Sequence, residues 1–288
     1  RITFMTGTRA HRFTMTEEDL GPGLWLIGLG PGDLSQMTRR ALALSQACKH
    51  RFLEGYTAVL PIEEENALEG LVGPWSRLMR DEVEKPEKIL GLAQHSPIAI
   101  LVVGDPMQAT THIDLEDRCA ELNIPFKIIP GLSATSLAIS LSGLQSYRFG
   151  RQVTLTYSYG DYLPTSPLEL IEKNYNNNLH TLMLLDLDPT GMGIEKPNPM
   201  TPKVAVELLG KMIEKIGERD GGLKPSLQIP IDDWDGILLS DISTNQQRIE
   251  AGNLGKLSNY QGGKIHSFIL PAKMTDEEKK AFIRRSRK

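Results

Sequence analysis

Cysteine is nearly absent: the 288 residues contain only Cys48 and Cys119, too few for the disulfide framework of a small secreted domain. Both fall on apolar helical stripes, Met37-Ala41-Leu44-Cys48 and Leu115-Cys119-Leu122, and read as buried small hydrophobes in a reducing compartment. No apolar run approaches the roughly 20 residues that span a bilayer, and the start of the chain lacks the charged-then-apolar order of a signal peptide. The expectation is a cytoplasmic protein without membrane association. Positive charge is not in excess either, with 32 Lys and Arg against 36 Asp and Glu and a formal charge of −4, so nothing steers the chain onto nucleic acid. The six histidines show no metal-ligand spacing and no His-Glu-x-x-His, and no metal is expected. There is no Gly-x-Ser-x-Gly elbow and no phosphate loop ending in Gly-Lys-Ser/Thr, which removes the best support for hydrolase and nucleoside triphosphatase readings.

What the sequence does have is a hydrophobic content of 40%, enough for a real core, and a length that admits one large domain or two medium ones. Residues 1–23 lack periodicity and are expected to be a disordered extension. From residue 24 onward short apolar runs alternate with helical periods. Strands are expected at 24–28, 51–54, weakly at 78–83, at 97–103 and at 126–129. Helices are expected up to about 47, then at 64–72, 87–94, 111–122 and 133–141. Such alternation means a mostly parallel sheet with helices on both faces, an α/β fold. The alternation breaks at 142–150, so an N-terminal α/β domain is placed at 24–146 and a C-terminal α/β domain at 147–271. The second half offers strands at 152–157, 180–186, 236–242 and 265–270, with helices at 167–174 and 203–216. Residues 272–288 form a charged tail, expected to be a helix ending in a solvated basic stub.

Three strand-to-helix turns are candidates for chemistry. The first, Leu26-Ile27-Gly28-Leu29-Gly30-Pro31-Gly32-Asp33, puts glycines at the carboxyl end of a strand, where open α/β sheets bind ligands. A dinucleotide fold would want glycine at the position of Asp33, where an acid repels phosphate. A tight turn explains the same residues. The second follows the apolar run 98–103 and reads Gly104-Asp105-Pro106-Met107. Asp105 there can accept hydrogen bonds from a ligand's amine or ribose, or it can organise the turn before Pro106. The third, Pro130-Gly131-Leu132-Ser133-Ala134, has small residues that suit either a pocket wall for a flat aromatic ligand or close helix-to-sheet packing.

The order Gly-Leu-Gly-Pro-Gly-Asp, Gly-Asp-Pro and Pro-Gly-Leu-Ser is similar to that of tetrapyrrole methylases. Further stretches narrow the resemblance: Glu54-Gly55-Tyr56-Thr57, Gly104 through His112, Gly143 through Gly150, Pro164-Thr165-Ser166, and Leu179-His180-Thr181-Leu182 running on to Asp186 resemble the diphthine synthase family. The likeness runs from about residue 24 to residue 271. It implies two α/β domains clasping S-adenosylmethionine, and methylation of the 3-amino-3-carboxypropyl-histidine of translation elongation factor 2. It further implies a homodimer. Carried over by position, it implies cofactor contacts at Pro31, Asp105, Gln108, Ser133, Ala134, Leu185, Ile242 and His266. The chain departs from the family in keeping Pro31-Gly32, in an insertion at 188–199, and in the stretch Leu239-Ser240-Asp241-Ile242-Ser243.

Methyl transfer from a sulfonium to an amine is an in-line displacement, helped mainly by alignment and water exclusion. Binding roles are therefore assigned and no catalytic residue is named. Arg148 and Arg151, near the inferred junction, are candidates for a substrate carboxylate or are simply solvated. Two other readings stay open: a tetrapyrrole methyltransferase with the same cofactor, and a nucleotide-binding α/β protein without chemistry.

Overall fold

A computed structural model describes residues 16–160, 162–190, 192–193, 197–220 and 229–286. Of the stretch expected to be an extension, residues 1–15 lie outside the described residues, and Glu17–Leu20 forms one helical turn, α1. Strand β1 (Gly23–Gly28) follows. It sits inside a parallel five-stranded sheet of order β3-β2-β4-β1-β5, with β2 (His50–Glu54), β3 (Ser76–Leu78), β4 (Pro97–Val102) and β5 (Phe126–Ile129). Every residue of β1 and β4 is buried, because helices cover both faces of an all-parallel sheet.

Alternate residues divide between the two faces. Trp25, Ile27, Ala99 and Leu101 pack under α2 (Arg39–Ala47) and α3 (Ile62–Val72), whereas Leu24, Leu26, Ile98 and Ile100 pack under α5 (Glu87–Ala93) and α6 (Ile113–Glu121). Cys48 lies in the first cluster and Cys119 in the second, and burial raises their thiols to about 12 and about 11.

Two local expectations differ from the structure. The weak strand at 78–83 ends at Leu78, and Arg80–Glu84 is a helical turn, α4, whose Glu82 carboxylate accepts from the Met79 N–H at 3.2 Å. Acidic residues in the first turn favour a helix N-terminus, and that local preference wins at a sheet edge. The first long helix also starts late. Asp33 accepts from Ser35 N–H at 2.7 Å and caps only a 3-10 turn, after which Thr38 caps α2 at Ala41.

The second sheet runs β6-β7-β10-β8-β9, formed by Val153–Leu155, Thr181–Leu185, His266–Leu270, Asp235–Ser240 and Arg248–Asn253. Only β6 and β7 pair in parallel. One face packs on α8 (Ser166–Asn176) and α9 (Pro202–Asp220) through Leu168, Ile171, Leu209 and Met212. The other face takes Ala138 of α7 (Ala134–Ser142) and Phe282 of α11 (Asp276–Ser286). A helix counted with the first half thus builds the core of the second. Strand β9 and the short α10 (Leu254–Ser258) were not expected, because β9 buries only Ala251 and has no period-two pattern.

The tail is a helix as expected, and it is docked on the second sheet; residues 287–288 lie outside the described residues. Glu278 is 1% exposed and accepts from the N–H groups of Gln145 and Thr275, while Arg285 donates twice to the Leu141 carbonyl. Arg148 pairs with Glu278, so it is committed to this junction and is not free for a substrate carboxylate. Arg151 is exposed.

Candidate active site

The three glycine turns meet at the carboxyl edge of the first sheet. Leu29 N–H donates to Val102 O at 2.8 Å, and Gly30 and Gly104 exchange backbone hydrogen bonds at 3.2 and 2.8 Å. Gly30 and Gly104 have φ of +83° and +85°, which side chains other than glycine adopt at a cost. A Cβ on Gly131 would lie 2.2 Å from Gly104 O, and one on Gly28 would lie 2.5 Å from Gly131 N. These two glycines let the loops touch one another. Above Gly104 the space is open, with only Leu132 O within 4 Å of a notional Cβ.

Asp105 links the second and third turns: its Oδ1 accepts from Met107 N–H at 2.9 Å and its Oδ2 from Gly131 N–H at 3.1 Å. Ser133 caps α7, its hydroxyl accepting from Thr135 N–H at 3.2 Å. Pro31 is half-buried on the first turn, while Gln108 and Ala134 are exposed on the other two. The turn-organising alternative is therefore visible for Asp105, Ser133 caps a helix, and each still faces the shared edge.

The remaining three residues come together at one end of the second sheet. Ser267 pairs with Leu184 and His266 with Ser240, so Leu185, His266 and Ser240 form a row, with Ile242 just beyond it. His266 Nδ1 shares a hydrogen with Ser240 Oγ at 2.5 Å, and desolvation holds its imidazole below the ordinary range despite the attraction of Asp241. Asp241 and Ser243 take positive φ, and Asp241 is held by the N–H groups of Lys264 and Ile265. This end abuts the first turn: Ser243 Oγ donates to Gln36 Oε1 at 2.6 Å, and a Cβ on Gly32 would lie 2.8 Å from Thr244 Cγ2.

Beside that contact is a cleft of about 510 Å³ between the halves, walled by Gly32, Leu53, Val103, Leu60 and Ile265 among others. None of the eight positional candidates lines it, although their neighbours Gly32, Val103, Asp241 and Ile265 do. Among the described residues its charge is acidic, with Asp33, Glu54, Glu63, Glu64, Glu65 and Asp241 facing Arg77 and Lys264.

One group there was missed by the sequence reading. Glu54, at the carboxyl end of β2, is 1% exposed, and its carboxylate accepts from Tyr56 N–H at 3.3 Å, Thr57 N–H at 3.0 Å and the Thr57 hydroxyl. Burial raises its carboxyl above the usual range, against the opposing pull of those donors and of His112. The signal available was its place: an acid ending a parallel strand beside the central one. His112 Nδ1 lies 2.8 Å from the Pro106 carbonyl, which can only accept, and Nε2 is buried without a partner, as is the Tyr56 hydroxyl.

A parallel sheet whose glycine turns meet a mixed second sheet across a cleft is the arrangement of a two-domain methyltransferase, and the family model of tetrapyrrole (corrin/porphyrin) methylases matches residues 23–258. Within that class the chain belongs to the diphthine synthase family. It is 36% identical over 262 residues to diphthine synthase of Methanocorpusculum labreanum, covering 89% of this chain and 96% of the relative. It is 33% identical over 262 residues to diphthine methyl ester synthase of Homo sapiens, covering 86% and 89%. A solved structure of diphthine synthase superposes with a TM-score of 0.76 at 24% identity, over 92% of this chain and 96% of that one, which speaks for the fold. The chain is a methyltransferase with a role in diphthamide biosynthesis.

Proposed function

We propose that this methyltransferase takes its methyl group from S-adenosylmethionine and transfers it to the 3-amino-3-carboxypropyl-histidine of elongation factor 2, in the cytoplasm and as a homodimer. The observation that carries the reading is the meeting of two edges. The loops of the first sheet bring Pro31, Asp105, Gln108, Ser133 and Ala134 to one rim, and the second sheet brings Leu185, Ile242 and His266 to the facing rim. The residues suit the cofactor: Gly104 leaves open space over a backbone turn, and exposed Leu132 and Ala134 offer apolar area beside the α7 N-terminus. Asp105 retains lone pairs for an amine or ribose hydroxyl after its two backbone bonds.

When bound, the cofactor supplies an electrophilic methyl on a sulfonium. The chain's part is alignment: rigid glycine turns fix one rim, and the Gln36–Ser243 contact fixes its distance from the other. Buried Leu53, Leu60 and Val103 form the apolar part of the 510 Å³ cleft and limit water around an incoming side chain, while its carboxylates suit a cationic group. Among the described residues no helix is long and apolar enough to cross a membrane.

The deciding experiment is intact-mass analysis of elongation factor 2 after incubation with purified chain and S-adenosylmethionine. Methyl mass on factor carrying the intermediate, and none on factor lacking it, is the expected result. Methylation of a precorrin or uroporphyrinogen with the factor untouched would instead favour the tetrapyrrole reading. Sedimentation of the purified chain tests the dimer.

A further inference from the structure

We propose that Glu54 is a catalytic residue: its carboxylate holds the substrate's amine as an ammonium at the floor of the cleft and accepts the proton that nitrogen must lose before it is methylated. This deepens the reading above and rests on it for the amine.

Position is the first argument. Glu54 ends β2, next to β4, and lines the cleft while the eight positional candidates surround the adjoining edges. Orientation is the second. Two N–H groups and one hydroxyl fix the carboxylate, so it meets a ligand without losing rotamer freedom at that moment. The third is charge. A carboxylate 1% exposed is costly to bury unless a cation offsets it, and among the described residues no lysine or arginine lies within ion-pair distance of it. Arg77, on the neighbouring strand β3, is paired with Glu65. A cationic ligand group would complete the site.

The surroundings favour proton transfer. Tyr56, on the same turn, has its ring under Arg80, with the guanidinium carbon 5.3 Å from the centroid, and its hydroxyl buried without a partner. His112, from the loop after β4, adds an unpartnered buried Nε2 and an attraction for the Glu54 anion. Asp33, Glu63, Glu64, Glu65 and Asp241 face the cleft from its other walls, opposed by Arg77 and Lys264. Burial raises the Glu54 carboxyl against the pull of Thr57, His112 and the Tyr56 N–H, which brings its proton affinity nearer that of an amine. The step balances: one ammonium proton passes to the Glu54 oxygen, the freed nitrogen lone pair attacks the methyl carbon, and the carbon–sulfur bond breaks with its electron pair left on sulfur. The Glu54 proton then leaves to solvent.

The test is the pH profile of kcat/KM for methyl transfer to elongation factor 2 carrying the intermediate, with calorimetric binding of S-adenosylmethionine alongside. Wild-type activity should fall on an acid limb set by Glu54. Glu54→Gln should lower kcat/KM by about 100-fold and abolish that limb, while donor affinity stays unchanged. Thr57→Val removes a hydrogen bond that favours the anion, so the acid limb should move to higher pH; this variant serves if Glu54→Gln does not fold. Glu54→Gln with full activity, or a limb that stays put in Thr57→Val, overturns the inference alone. No transfer by the wild-type chain to that factor overturns the substrate reading and the inference together.

Discussion

Asp105 Oδ2 accepts the Gly131 N–H at 3.1 Å, so a single carboxylate holds the turn after β4 against the turn after β5. The same residue fixes its own turn through Met107 N–H at 2.9 Å. Asp105→Ala should therefore act twice. Loss of charge-assisted contacts should cost about 1.5–3 kcal/mol of stability, and methyl-donor affinity should fall by about tenfold or more. Denaturant titration and calorimetry separate the two effects. Unchanged donor affinity with lowered stability would reduce Asp105 to a strut between loops.

Glycine substitutions should divide by what a Cβ would meet. Gly131→Ala places a methyl 2.2 Å from a backbone oxygen that cannot swing aside, so the three turns must separate. We expect a loss of about 3 kcal/mol or more, together with donor binding. Gly210, inside α9, has nothing within 4 Å of a notional Cβ, and Gly210→Ala should stabilise by about 0.5–1 kcal/mol. Equal melting shifts for the pair would contradict this.

The parallel sheet was legible because β1 and β4 are apolar throughout and each is punctuated by glycine at its carboxyl end. Strand β9 was not, since an edge strand with a single buried residue carries no periodic signal. For the site, the turns of Asp105 and Ser133 could be read from glycine and capping chemistry. Sequence did not tell that Gly28 and Gly131 serve loop-to-loop contact, because that depends on which turns become neighbours across β1, β4 and β5. Arg148 was misread for a similar reason: its partner Glu278 lies 130 residues away. Glu54 was passed over because its burial follows from the cleft and not from its local pattern.

The two thiols give a direct check of the core. With Cys48 raised to about 12 and Cys119 to about 11 by burial, hardly any thiolate exists at pH 8 in the folded chain. Alkylation by iodoacetamide at pH 8 should be negligible in native protein and complete at both sites in denaturant. Rapid native labelling of either cysteine would mean that its helix opens.

Acid should undo the junction before it undoes the cores. Glu278 draws together Arg148, His180 and the N–H groups of Gln145 and Thr275. Desolvation alone would raise its carboxyl, but the Thr275 and Gln145 N–H groups and the His180 ring outweigh it and hold Glu278 at about 2, below its ordinary 4.5. His180 Nδ1 accepts from Ala272 N–H at 3.0 Å, so Nε2 carries the hydrogen given to Glu278, and burial holds the imidazole below its ordinary 6.5. Both folded-state values are depressed, so both groups bind fewer protons folded than unfolded, and their stabilisation is present at neutral pH. The histidine contribution begins to fade as pH drops below 6.5, and the Glu278 contribution fades between 4.5 and about 2. Glu278→Gln leaves Arg148 without its counter-charge and should cost about 3 kcal/mol at pH 7. Below pH 3 wild-type Glu278 approaches its own protonation, so the two proteins should converge in stability. Melting temperatures of wild type and Glu278→Gln from pH 7 to pH 2.5 check this, and a gap that persists undiminished in acid would mean that the α11 clamp does not depend on the Glu278 charge.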